Sequence, residues 1–270
     1  MTQSGEERMR DECSSCDQQY EQKRKEGRKG GRSVAASVIC HRAEGSVGAC
    51  VHEIVADLLS LHVKHADVWP QWLFSSPTST RLASRVGSPE TAGLLLMLQS
   101  VLPGTNAVLF GDELGVTANE TNPQLDWAKW ESEWSRTTSP LRALSRLWRL
   151  RSTSPVLQHG STFIGRLQDG SAFAVSRYPS PSNGEGGNSS SNDKSGTAYV
   201  AALNVGERAV RLSLDDLPFS RKMIDGVDVV AVSDGSLFAP RQKLQLTDRS
   251  LSLPPRQALI FRHQTDSRPS

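Results

Sequence analysis

The stretch SPETAGLLLMLQSVLPGTNAVLFGDELG, residues 88–115, decides the fold. Ser88-Pro89-Glu90 opens a helix, with serine at the N-cap, proline at the first position and an acid in the first turn. The helix runs through Leu94, Leu95, Leu96, Met97, Leu98 and Val101, apolar on nearly every face, as expected of a helix packed on both sides. Pro103-Gly104 stops it, and a short strand, Ala107 to Phe110, follows and runs into Gly111-Asp112-Glu113-Leu114-Gly115. Helix, turn, strand and glycine-rich loop at this spacing are the signature of a βα unit of a parallel sheet.

Working outward in both directions supports the same pattern. Upstream, Val51, Ile54, Val55, Leu58 and Leu59 recur at helical spacing from about residue 47, with Glu53, Asp57 and Ser60 on the other side. His62, His65 and Asp67 near its end could be written as metal ligands, although a helix C-terminus favours histidine through the dipole alone. Trp69 to Ser75 starts at a proline and reads as a buried strand. Downstream, about two dozen residues through Asn119, Asp126, Trp127 and Trp134 read as a loop. Ser139-Pro140 then opens another helix, with Leu141, Leu144, Leu147 and Trp148 on one face. Arg142, Arg146 and Arg149 lie opposite, and with no exposed aromatics between them they read as a solvated face.

From about residue 160 the apolar period changes to two. Thr162 to Ile164, Ala172 to Val175, Tyr199 to Leu203, Val210 to Leu212, Val227 to Val232 and Ala258 to Phe261 are separated by turn residues, which predicts an antiparallel β-sandwich. Between two of these strands, Pro179 to Gly196 is dense in serine, glycine and asparagine and reads as a surface loop.

Composition bounds the rest. The chain has 270 residues, is 37% hydrophobic, and balances 31 Lys+Arg against 29 Asp+Glu, so charge alone points to no nucleic acid and no membrane surface. The longest apolar run, Leu94 to Leu98, is far short of the ~20 residues of a membrane-spanning helix. The start, MTQSGEERMRDECSSC, is too polar for a signal peptide. All four cysteines, Cys13, Cys16, Cys40 and Cys50, fall in the first fifty residues. Cys13-Ser-Ser-Cys16 has zinc-ligand spacing, but the other spacings fit no compact finger, and unpaired thiols in a polar tail are the plainer reading. Lys23, Arg24, Lys25, Arg28, Lys29 and Arg32 form a basic run in a stretch without apolar periodicity, so residues 1–45 are expected to be a disordered basic tail.

Four motifs in order then become recognisable: Arg81 with Ser84-Arg85-Val86-Gly87, Leu102-Pro103-Gly104-Thr105, Phe110 to Gly115, and the helix with Leu147-Trp148-Arg149-Leu150-Arg151 that leads to Ser154-Pro155-Val156-Leu157-Gln158-His159-Gly160. Together they resemble the last part of the α-amylase family of glycoside hydrolases, over roughly residues 47–263. The resemblance implies an α/β plus all-β chain: the C-terminal fragment of a TIM (β/α)8 barrel over 46–155, followed by an antiparallel β-sandwich over 156–265 with a flexible loop at 179–197.

In that family the active site lies at the C-terminal ends of the barrel strands. Retaining chemistry needs a nucleophilic and an acid/base carboxylate about 5–5.5 Å apart. The family places these after strands four and five, and a third carboxylate after strand seven in an Asn-His-Asp motif three residues before an arginine. Only the last motif falls inside this chain, and here it reads Ser76-Pro77-Thr78-Ser79-Thr80-Arg81. Pro77 stands for the histidine and Thr78 for the aspartate, and threonine does not ionise. Ser76, Pro77, Thr78 and Arg81 are therefore expected to be a degenerate active-site motif, the chain is expected not to be an enzyme, and neither metal nor cofactor is implied.

That replacement, with Trp69-Pro70-Gln71-Trp72 just before it, is similar to the heavy chains of heteromeric amino-acid transporters. The resemblance implies an extracellular domain at the plasma membrane that supports trafficking and assembly of a light-chain transporter subunit. Asn119-Glu120-Thr121 and Asn188-Ser189-Ser190 are glycosylation sequons compatible with that placement. No membrane helix is found, and Cys40 or Cys50 follows no hydrophobic span that would make it the cysteine bridging to a light chain. A hydrolase acting on α-glucosides is the alternative. If the barrel is partial, the helix 90–101 is expected to expose leucines and the strands at 71–75 and 107–110 to present open edges.

Overall fold

The computed structural model describes residues 34–37, 47–64, 69–77, 79–117, 126–167, 170–180, 196–217, 226–246 and 248–265. Three strands, β1 (Val34–Ser37), β2 (Pro70–Leu73) and β3 (Thr105–Ala107), form a parallel sheet in the order β1-β2-β3. Val34 lies opposite Pro70 and Gln71 opposite Thr105. Helix α1 (Val47–Lys64) connects the first pair, and α2 (Leu82–Val86) with α3 (Pro89–Val101) connects the second. These are βα units as expected, but the strand expected at Ala107 to Phe110 lies earlier, at Thr105–Ala107. The strand β1 corrects the expectation of a tail over 1–45 at residues 34–37. Val-Ala-Ala-Ser is too short to show a period, and its pairing to β2 is a long-range contact that local sequence does not announce.

The cap of α3 forms as its sequence dictates: the Ser88 hydroxyl accepts a hydrogen bond from the Thr91 amide at 3.1 Å, and Pro89 fills the first turn. Replacing Ser88 by alanine leaves that donor without its partner and is expected to cost about 1 kcal/mol, read as a lower urea midpoint with an unchanged slope. Every residue of the helix from Thr91 to Val101 is buried. The expectation of exposed leucines is therefore corrected: α2, the helix α5 (Pro140–Thr153) and the antiparallel sheet described below pack around α3. At the turn that ends it, Gly104 has φ 100°, and a side chain there would overlap the carbonyl oxygen of Pro70. Only glycine suits that backbone.

The segment expected to be a loop contains the helix α4 (Trp127–Ser135), capped by Asp126, whose Oδ1 accepts from the Lys129 amide at 3.0 Å. No residue of α4 is buried, so there is no core-facing stripe for periodicity to detect. Helices α5 and α6 (Pro155–His159) repeat the Ser-Pro start: Ser139 Oγ accepts from the Arg142 amide at 3.2 Å, and Ser154 Oγ from the Leu157 amide at 3.4 Å.

The remaining strands are β4 (Ser161–Leu167), β5 (Ala172–Tyr178), β6 (Gly196–Asn204), β7 (Val210–Ser213), β8 (Gly226–Val232), β9 (Lys243–Gln245), β10 (Ser250–Leu253) and β11 (Gln257–Thr265). Six of them form an antiparallel sheet in the order β4-β5-β6-β11-β8-β9, and β7 pairs with β10 in a two-stranded ribbon. The period of two sorts their side chains onto two faces. Phe173, Val175, Tyr199, Ala201, Leu203, Ala258 and Ile260 face the core that also holds α1, α3 and α5. Ala172, Ala174, Val200, Ala202, Leu259 and Phe261 face a second core with Val210, Leu212, Leu251 and Leu253 of the ribbon. The expected sandwich is thus a sheet covered by a strand pair on one side and by helices on the other.

Two buried ionisable residues mark this sheet. Arg177 on β5 is fully buried, and its guanidinium donates to the carbonyls of Val101 at the end of α3, Val156 in α6 and Gly160, each at 3.0 Å. Burial, with the like charge of Arg151 added, pushes it down to about 9. His263 on β11 is 4% exposed, and burial holds its pKa below the ordinary 6.5. The unfolded chain therefore binds more protons near that pH, so this contribution to stability is complete above 6.5 and is lost as pH falls toward the native value. Unfolding measured by urea between pH 7.5 and 5 is expected to show that loss, and His263→Gln is expected to flatten it.

Candidate functional site

The C-terminal ends of β2 and β3 place the residues singled out by sequence. After β2 the chain turns at Ser76, whose amide donates to Ser79 Oγ at 2.9 Å while its carbonyl accepts from the Ser79 amide at 3.1 Å. Pro77 sits exposed on this turn, and Thr78 lies outside the described residues. Arg81 is buried at 3% exposure and crosses to the loop after β3. It donates through Nη1 to the Phe110 carbonyl at 2.6 Å and to Asp112 Oδ1 at 3.3 Å. Ser75 Oγ accepts from the Leu82 amide at 3.0 Å, and Arg85 donates to the Thr80 carbonyl at 3.0 Å and to that of Phe74.

Sequence reasoning named Arg81 but not its partner. Gly111-Asp112-Glu113 was legible only as a motif after a strand; that Asp112 closes on an arginine thirty-one positions earlier is a tertiary fact. Asp112 and Glu113 are the carboxylates of this loop. Burial raises both above the ordinary range; hydrogen bonds from Ser75 and Arg81 oppose the rise at Asp112. Glu113 Oε2 accepts from the Gly111 amide at 2.9 Å. With both side chains nearly sealed, the Arg81–Asp112 pair ties one loop to the other, whereas Glu113 is half-buried, and that burial favours its protonated form.

The other sequence candidates scatter. Asn119, Asn188, His65, Asp67, Cys13, Cys16 and Cys40 lie outside the described residues, as does most of the loop at 179–197. Cys50 is disulfide-bonded, which corrects the reading of unpaired thiols at that position. His62 packs its ring edge-on to Trp69 at 6.3 Å between centroids. Among the described residues no group of three or more His, Cys, Asp and Glu could hold a metal ion, and no helix is long and apolar enough to cross a membrane. The face carrying Arg142, Arg146 and Arg149 does have an exposed aromatic beside it, Trp134 at 37%, against which Arg142 lies, contrary to expectation. A cavity of about 480 Å³, lined by Leu150, Pro155, Val156, His159, Pro179 and Tyr199 among others, shares no residue with the Arg81–Asp112 cluster.

No protein-family model matches the chain. Over 48 residues it is 44% identical to the amino acid transporter heavy chain SLC3A1 of Rattus norvegicus and 40% identical to that of Homo sapiens; the match spans 18% of this chain and 7% of each relative. Among solved structures, trehalose-6-phosphate hydrolase from Bacillus licheniformis superposes with a TM-score of 0.57 at 14% identity, over 81% of this chain and 47% of that one. Trehalulose synthase MutB from Pseudomonas mesoacidophila MX-45 and isomaltulose synthase from Klebsiella sp. LX3 each give 0.54 at 17% identity, over 80% of this chain and 46% of theirs. The chain thus spans about half the length of these structures. All three are enzymes, and this overturns the expectation, drawn from Ser76, Pro77 and Thr78, that the chain is not one. What the parallel βα units, the six-stranded antiparallel sheet and these superpositions establish together is an amylase-like fold, that of the α-amylase-family glycoside hydrolases.

Proposed function

We propose that this chain is the C-terminal part of an amylase-like domain in an amino-acid transporter heavy chain, where it supports assembly and trafficking of a light-chain transporter subunit. The observation that carries the reading is the 40–44% identity over 48 residues to the mammalian heavy chains. The disulfide at Cys50 supports it, because such bonds persist in oxidising surroundings such as the extracellular face of the plasma membrane. In this reading residues 46–155 are the last units of a barrel, residues 156–265 are the β-domain that follows, and Asn119 and Asn188 accept glycans. Ser76 and Pro77 then shape a turn at the barrel's end, and Arg81 ties the chain after it to the loop after β3. The test is co-expression of the chain with a light-chain subunit in cells, read by co-purification and by surface labelling. The light chain is expected to co-purify and to reach the surface; a light chain that does neither overturns the reading.

A second reading, part of a sugar-processing enzyme, is favoured by the fold shared with trehalulose synthase and trehalose-6-phosphate hydrolase. Glu113, held by the Gly111 amide and raised by burial, is then the general acid. Turnover of a nitrophenyl α-glucoside that Glu113→Gln abolishes is its expected result, and turnover untouched by that change contradicts the role of Glu113.

A further inference from the structure

Helix α4 spends three of its nine residues on tryptophan and buries none of them. Trp127 is 65% exposed. Trp130 and Trp134 stack with centroids 5.2 Å apart and planes 8° from parallel, Trp127 stands edge-on to Trp130 at 6.3 Å, and the Arg142 guanidinium lies 4.7 Å from the centre of the Trp134 ring. Arg146 follows one turn later on α5. Arg241 sits on an exposed turn whose amide bonds to Val229 of β8, the strand against which α5 packs. None of the three guanidinium groups has a carboxylate partner among the described residues, although acids are close: Glu133 and Asp234 both pair with Arg136, and Asp234 also accepts from the Thr138 hydroxyl. Arg146 feels the charges of Arg142 and Arg241 in addition to its burial.

We propose that the tryptophan stack of α4 and the unpaired Arg142, Arg146 and Arg241 form a docking surface for a short acidic segment of a partner protein. Tryptophan and arginine are the residues that dominate protein interfaces, and three adjacent like charges without a counter-ion are complementary to carboxylates. Asp126 caps α4 and Glu131 and Glu133 lie on it, so a long polyanion tracking along the helix would meet acids there. That favours a protein segment over a nucleic acid or an anionic membrane. The inference does not depend on the transporter reading.

The probe is a fluorescein-labelled hexaglutamate peptide titrated into the full chain, followed by anisotropy and by tryptophan fluorescence. Binding that quenches tryptophan emission and weakens with added salt is expected. Arg142→Glu, Arg146→Glu and Trp127→Ala are each expected to weaken it about tenfold or more, and Arg241→Glu, on its exposed turn, keeps the test decisive where Arg146→Glu fails to fold. Affinity unchanged in Arg142→Glu and Arg241→Glu overturns the proposal. So does tighter binding of a single-stranded oligonucleotide or of phosphatidylserine vesicles than of the peptide.

Discussion

Replacing Arg177 by alanine is expected to lower the unfolding free energy by about 3–5 kcal/mol, among the largest effects of any single change in the chain. The fully buried guanidinium supplies the donors for the carbonyls of Val101, Val156 and Gly160. Without it, the carbonyls of Val101 and Gly160 lose this donor and that of Val156 is left with the Gly160 amide alone, each acceptor stranded in the interior costing about 1–3 kcal/mol before the neighbourhood relaxes. The charge itself is under strain from burial, so Arg177→Met, which keeps the stem and removes the desolvated charge, is expected to cost less than alanine. Urea titration with tryptophan fluorescence reads both. A loss under 1 kcal/mol for alanine would show that the carbonyls find other donors and that Arg177 does not hold α3 and α6 to the sheet.

Arg81→Ala is expected to be of similar size, about 3–5 kcal/mol, because it strands the Asp112 carboxylate beside a vacated site. Burial already raises Asp112 toward the neutral form, and the arginine is one of the groups that oppose it. Removing it should raise the Asp112 pKa further, so the variant protein is expected to take up a proton and to lose less stability at pH 5 than at pH 8. Thermal unfolding should drop by about 10 °C near neutral pH. Arg81→Ala combined with Asp112→Asn is expected to be more stable than Arg81→Ala alone, since the stranded charge is gone; the reverse order would contradict a paired site.

How much of this was legible in sequence follows from which interactions are local. Ser88-Pro89 and Ser139-Pro140 announce helix starts because a cap is made within four residues, and both form; the same pair at Ser154-Pro155 opens a third helix. Six of the eight strands from β4 onward were legible because a period of two survives wherever one face differs from the other; β9 and β10, three and four residues long, were not. The second buried face was not, since Ala172, Ala174 and Ala202 are small and look neutral until the ribbon of β7 and β10 covers them. The strand β1 and the helix α4 escaped for opposite reasons, one being four residues held by a distant partner and the other having no buried side at all. At the candidate site, Arg81 was visible through its motif, while its link to Asp112 and the buried role of Arg177 depend on contacts across 31 and 76 positions.

The central structural claim is that the βα units and the antiparallel sheet are one folded body, sharing the core that runs from Val51 and Leu94 to Phe173 and Ile260. All six tryptophans lie between residues 69 and 148, so their fluorescence reports the βα part alone. Amide hydrogen exchange of β5, β6 and β11 reports the sheet. Followed together through a urea titration, the two signals are predicted to change at one midpoint. Sheet amides that stay protected after the tryptophan transition is complete would contradict the claim and leave the sheet as an independent domain.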